Sequence, residues 1–198
     1  MTGLICSGKS GICSAMEREG VNTVSADSII RELQKPGGVI YESIRERWGD
    51  LYIAEDGRLN RSLLSRDILK DSRFRKEVES ISHPPALTAI KEFLLKNETE
   101  GAWAAAAEVP LLFEAGWEKH FDISVLAEAP EHILLERIAE RKGVDIAEAR
   151  QWIELRPLRD KLHLMADVRV DTSGNPEETA ADVKKIIRRL RRNINENK

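Results

Sequence analysis

The sequence predicts an α/β fold, a parallel sheet flanked by helices, and three observations carry that prediction. Short apolar runs alternate with longer amphipathic stretches, the rhythm of βα units laid on a parallel sheet. A glycine-containing segment at the N-terminus leads directly into helix-forming sequence. Between Pro36 and Asn97 no strand pattern occurs. Apolar residues there recur at helical spacing, at Leu63, Leu64 and Ile68 and again at Leu87, Ile90, Phe93 and Leu94, which marks an inserted helical region. The expected organisation is a core of residues 1–35 and 101–198, with a lid at about 137–160 inside it, and a helical region inserted at 36–100.

Four strands are expected: Val21–Ser25, Ala102–Val109, Phe121–Ala127 and Val168–Asp171. Each is followed within a few residues by a helix signal. Pro130 opens one helix at its first position, Asp145–Glu148 has the form of a capping box, and Asn175-Pro176-Glu177-Glu178 begins the last helix. Asp56-Gly57 marks a turn inside the inserted region, and Pro84-Pro85 is expected to break it into two helical parts.

Composition bounds the class. A chain of 198 residues, 41% hydrophobic and 33% charged, can bury about 70% of its unfolded surface and needs no disulfide staples. The net charge of −3 asks for neither nucleic acid nor an anionic membrane as partner. No apolar run approaches the length of a membrane span, and no basic-then-apolar leader opens the chain. Cys6 and Cys13 lack disulfide-framework or zinc spacing, so a reducing cytoplasm is the expected location. The run Lys184–Arg192 holds six basic residues in nine and reads as a terminal helix with a wet basic face over a packed apolar one.

The segment Gly3-Leu-Ile-Cys-Ser-Gly8-Lys9-Ser10 fits G-x4-G-K-[ST], the pattern of a phosphate loop. Glycines let successive backbone N–H groups point at phosphate oxygens, and the following helix adds its positive end. Lys9 brings a mobile ammonium to the β- and γ-phosphates of ATP, and the Ser10 hydroxyl can ligate Mg²⁺. Gly3, Cys6, Ser7, Gly8, Lys9, Ser10 and Gly11 are thus the expected nucleotide-binding residues. The alternative is a glycine-rich turn that only caps a helix. A phosphate loop normally leaves a buried strand, but only Met1 and Thr2 precede Gly3, so that first strand is expected to be missing from this chain.

Several further segments converge. They are Ser25-Ala-Asp27, Asp56-Gly-Arg58-Leu, His83-Pro84, Glu108-Val-Pro-Leu-Leu-Phe-Glu114, Arg137 with Arg141, and Lys161 ahead of Ala166-Asp167. With the phosphate loop, from Thr2 to about Gly174, the chain resembles the dephospho-coenzyme A kinase family. The resemblance implies a P-loop kinase fold with a five-stranded parallel sheet, an inserted helical substrate domain and a lid. It implies MgATP-dependent phosphorylation of the ribose 3′-hydroxyl of dephospho-coenzyme A, a small-molecule partner, as the last step of coenzyme A synthesis. The chain departs from the family pattern at Ser25 (usually Asp), Cys6 (Gly), Gly11 (Thr), Arg156 (a lid Gln) and Thr172-Ser173-Gly174 (an Asn-Gly near the base).

Within that reading Asp27, at a strand end, accepts the hydroxyl proton; otherwise it is an N-cap for Ser28–Leu33. Arg137 and Arg141 stand one helical turn apart and neutralise charge on the transferring phosphoryl group; otherwise they pair with Glu136 or Glu140 on a solvated face. Arg150, Arg156 and Arg159 serve a closing lid or lie on the surface. The resemblance puts Glu108 near Mg²⁺ and substrate and adds His83 and Leu112 at the substrate, with Glu114 a weaker candidate. Two other functions stay open at this stage: another small-molecule P-loop kinase, and a nucleotide-binding module without turnover.

Overall fold

The computed structural model of the chain describes residues Met1–Glu196. The chain divides into two compact units, one made of Met1–Thr23 with the chain from Asn97 onward, the other of Val24–Lys96.

In the first unit, β1 (Thr2–Gly3), β4 (Val125–Glu128) and β5 (Val168–Asp171) form a parallel sheet in the order β1-β4-β5. A two-stranded sheet joins β3 (Ala105–Glu108) to β2 (Asn22–Ser25), the strand that leads out of this unit. Met1 connects the two sheets. Its N donates to Ala107 O at 2.5 Å and its O accepts from Val109 N at 2.8 Å, the two bonds of a parallel bridge opposite Glu108. The strand expected to be missing is therefore present as a three-residue stub. Met1 and Thr2 are almost wholly buried, and their backbone groups find partners in strands on both sides.

Helices α1 (Lys9–Arg18) and α9 (Pro176–Glu196) pack on this sheet, and a single turn, α8 (Leu162–Met165), precedes β5. Met1, Ile12, Cys13, Met16, Val21, Val125, Ala127, Val170, Val183 and Ile187 make one continuous core. Val183 and Ile187 are the buried face expected of the basic C-terminal run, whose Arg188, Arg189 and Arg192 stay exposed. A second cluster joins α6 (Glu131–Lys142) to α7 (Ile146–Glu154) through Leu134, Leu135, Ile138, Ala149 and Ile153.

Three strands are shorter than expected, β2 by one residue, and β3 and β4 by more for local reasons. Ala102 N is taken by Asn97 O in a helix-ending turn, so β3 starts only at Ala105. Ser124 gives both its N–H and its hydroxyl to Asp167, so β4 starts at Val125. Pro130 is the N-cap of α6 and not its first residue. The Asp145 side chain caps α7 through Glu148 N at 2.8 Å, and Asn175 and Glu178 bond each other's N–H groups at the start of α9.

The second unit contains α2 (Ala26–Leu33), α3 (Val39–Trp48), α4 (Arg61–Lys70) and most of α5 (Ser72–Thr99), around Ile40, Tyr41, Ile44, Tyr52, Leu59, Leu64 and Val78. The Asp56-Gly57 turn lies inside an isolated bridge between Ile53 and Leu59. Pro84-Pro85 does not divide the helix: α5 runs unbroken through both prolines. Val78, Ser82, Ala86 and Ile90 recur every four residues and are all buried. Burying that stripe outweighs the two backbone donors that proline removes.

Candidate active site

Gly3 ends β1 with φ 154°, and a Cβ there would run into Ser7 Oγ and the Ala127 carbonyl. The chain then turns back on itself, Ser7 N donating to Leu4 O at 3.2 Å. Gly8, at φ 80°, is the N-cap of α1, and a Cβ on it would come within 3.0 Å of the Thr172 side chain. Both positions need glycine for space and for conformation. Among the described residues no side chain caps α1, and its first turn carries no acid. No described side chain in that first turn therefore offsets the positive end of the α1 dipole.

Lys9 Nζ folds over the loop, donating to Gly3 O at 3.0 Å and Leu4 O at 2.7 Å. Ser10 is exposed, and the space around Gly11 is open. Ser7 is fully buried, its hydroxyl turned inward. Leu4, Ile5 and Cys6 pack against the α6–α7 cluster, which anchors the loop by its apolar side. Cys6 alone among the described non-glycine residues has positive φ, at 57°.

Arg137 extends from α6 to the end of β5, donating through Nη2 to Thr172 O at 2.5 Å and through Nη1 to Thr172 Oγ1 at 3.3 Å. Thr172 Oγ1 lies 3.0 Å from both Ser7 O and Glu128 O. One threonine thus ties the arginine to the phosphate loop and to the end of β4. Hydrogen bonds from Ser173 hold the Asp171 carboxyl below the usual range, and Arg137 adds to the shift. Arg141 is exposed in the last turn of α6.

Glu108 ends β3, half-buried. Burial pushes the Cys13 thiol up to about 11, with the Glu108 charge adding to it. Leu112 is 1% exposed, its side chain in the interior. Of the three arginines expected in the lid, Arg150 pairs with Glu131 and Arg159 with Asp160, both on the surface. Arg156 is instead buried against Glu114, which it meets at 2.7 Å.

Asp27 and His83 belong to the second unit. Asp27 is exposed in the first turn of α2, where Ser25 is the N-cap, so the capping alternative for Asp27 does not hold. His83 is half-buried on α5, and burial lowers its pKa against the opposing charge of Glu79.

A model of the dephospho-CoA kinase family matches residues 1–178. A dephospho-CoA kinase from Syntrophotalea carbinolica is 34% identical over 195 residues, 96% of this chain and 90% of that one. The chain belongs to the dephospho-CoA kinase family. Two solved structures share its fold. TT1252 from Thermus thermophilus has a TM-score of 0.76 at 24% identity, over 96% of this chain and 95% of that one. A dephospho-CoA kinase from Campylobacter jejuni has 0.71 at 20%, over 97% and 96%. The fold is that of a P-loop kinase, and no helix among the described residues is long and apolar enough to cross a membrane.

Sequence reasoning set Thr172-Ser173-Gly174 at the family's base-proximal Asn-Gly but gave Thr172 no part in bracing the loop, gave Glu128 no role, and did not bring Arg156 to β1. Thr172 stands just past the carboxyl end of the parallel strand β5, the edge where ligand chemistry gathers in open α/β sheets, and that position was the available signal. Nothing local marks Arg156.

Proposed function

We propose that the chain transfers the γ-phosphoryl group of ATP to the ribose 3′-hydroxyl of dephospho-coenzyme A, giving coenzyme A and ADP as the last step of coenzyme A synthesis in the cytoplasm. The observation that carries this reading is the uncapped start of α1 under a loop whose own lysine folds over it. That arrangement suits a polyphosphate, and the family supplies the acceptor.

Loop amides hold the β-phosphate, and Lys9 exchanges the Gly3 and Leu4 carbonyls for phosphate oxygens. Phosphoryl transfer draws mainly on positioning and charge stabilisation, so Arg137 and Arg141 act on the charge of the moving group. The bonds of Arg137 to Thr172 fix its approach. Asp27 takes the proton of the attacking hydroxyl. Glu108, His83 and the Leu112 segment border the acceptor. Mg²⁺ arriving with ATP supplies further charge neutralisation, and the exposed Ser10 hydroxyl is the loop residue to hold it.

Calorimetric titration with MgATP followed by an ADP-release assay with dephospho-coenzyme A tests the reading. ATP binding with acceptor-dependent ADP release is the expected result; binding without that release overturns it. Asp27→Asn should lower turnover on the order of 10²-fold with ATP affinity retained. Loss of affinity at unchanged saturated turnover would move Asp27 to the metal or to a structural role.

A further inference from the structure

We propose that Arg156, seated on Glu114, is a positioning residue for nucleotide binding: it holds the carbonyl that Lys9 must release. The proposal rests on the loop being an ATP site. Arg156 is 9% exposed, and its guanidinium is shared between two segments, Glu114 and the Thr2–Gly3 strand. Nε and Nη2 reach the two oxygens of Glu114 at 2.7 and 3.3 Å, a fork held by one carboxylate. Nη1 donates to Gly3 O at 2.6 Å, and Nη2 to Thr2 Oγ1 at 3.2 Å. Thr2 Oγ1 in turn donates to Pro110 O at 2.9 Å.

Gly3 O therefore accepts from two cations, Lys9 and Arg156. They are not equivalent. Arg156 is neutralised and clamped by Glu114, whereas Lys9 is partly exposed at the end of a flexible stem. When Lys9 leaves for a phosphate, Arg156 keeps the carbonyl paired. Without Arg156 the same departure strands a carbonyl at the strand end, and leaving such a group unsatisfied opposes binding. The penalty arises only in the nucleotide-bound state. Its signature is weaker ATP binding beyond any change in folding, with acceptor binding unaffected.

The test compares four proteins: unaltered, Arg156→Met, Arg156→Lys, and the paired change Glu114→Leu with Arg156→Met. ATP dissociation constants are measured by calorimetry, KM for each substrate by steady-state kinetics, and melting temperature by calorimetric scan. Arg156→Met leaves Glu114 buried and unpaired, so it should melt lower; the paired change removes that charge and should recover most of the loss. ATP affinity should fall tenfold or more in both, with KM for dephospho-coenzyme A within twofold of the unaltered value. Arg156→Lys, which keeps a charge beside Glu114, should fall between and decides the matter should the methionine variants not fold. ATP affinity that returns with melting temperature in the paired variant, or is unchanged in any folded variant, overturns the proposal. If the unaltered protein itself binds no ATP, the function proposed above fails instead, an outcome separate from equal binding by all four.

Discussion

Two connections leave neighbours of β4 in the same parallel sheet and run into helices that pack on it, yet they treat their backbone groups in opposite ways. Between β1 and α1 the carbonyls are occupied by cations and a hydroxyl: Gly3 O by Lys9 and Arg156, Leu4 O by Lys9, Ser7 O by Thr172. The helix start itself is left uncapped. Between β5 and α9 one carbonyl, Thr172 O, accepts from Arg137, but it is chiefly the amides that are occupied, by side-chain oxygens. Asp171 takes Ser173 N, Asn175 takes Glu178 N, and Glu178 takes Asn175 N. The first connection leaves its helix start without a side-chain acceptor, and the second supplies its own. Thr172 joins them, so the closed connection braces the open one.

The largest expected effect comes from removing the mobile cation of the open connection. Lys9→Ala should cost on the order of 10²-fold or more in turnover with little change in melting temperature, because the ammonium acts on phosphate charge. Steady-state rates checked against circular dichroism decide it, and activity within threefold of the parent would contradict the contrast drawn above. Next comes the backbone of the same loop. Cys6 sits at φ 57°, which costs a side-chain-bearing residue about 1 kcal/mol and a β-branched one more. Cys6→Val should therefore melt below Cys6→Ala, by the equivalent of about 1–2 kcal/mol, while Cys6→Gly stays near the parent as relief of strain offsets added chain entropy.

In the closed connection Asn175→Ala should destabilise the protein by about 1 kcal/mol, a shift of roughly 2–4 °C, with KM for ATP unchanged. A change in KM without one in melting temperature would blur the distinction between the two connections. The smallest effect is on pH. Hydrogen bonds from Ser124 hold the Asp167 carboxyl below its usual range, and those from Ser173 do the same for Asp171. Depressed folded-state values mean that this stability is present above the unfolded carboxyl pKa of about 3.9 and is lost as pH falls through the folded values. Melting temperature should drop below about pH 4, less steeply in Ser124→Ala. An equal slope in the variant would show that this pair contributes nothing.

Features that depend on adjacent residues were legible in the sequence. The phosphate loop was, because its chemistry needs consecutive amides, and so were β5 and the caps at Asp145 and Asn175, whose partners lie three residues away. What sequence reading missed depends on distant partners. Three residues at β1 show no periodicity, and only strands more than 100 positions on make them a strand. The prolines of α5 obey a local rule that a buried stripe overrides. Arg156 looks like any surface arginine until Thr2 and Gly3 come beside it.

The spacing of these partners also orders the birth of the loop. Met1 is held by Ala107, Gly3 by Arg156 and Ser7 by Thr172, separations of 106, 153 and 165 residues. At ribosomal speed the last of these partners is made on the order of ten seconds after Ser7. Ser7 O gains its hydroxyl partner only then, and closing so long a span comes late in folding. The loop is made well before the residues that give it its shape, so an interrupted chain that stops before Thr172 would carry the motif without the cradle.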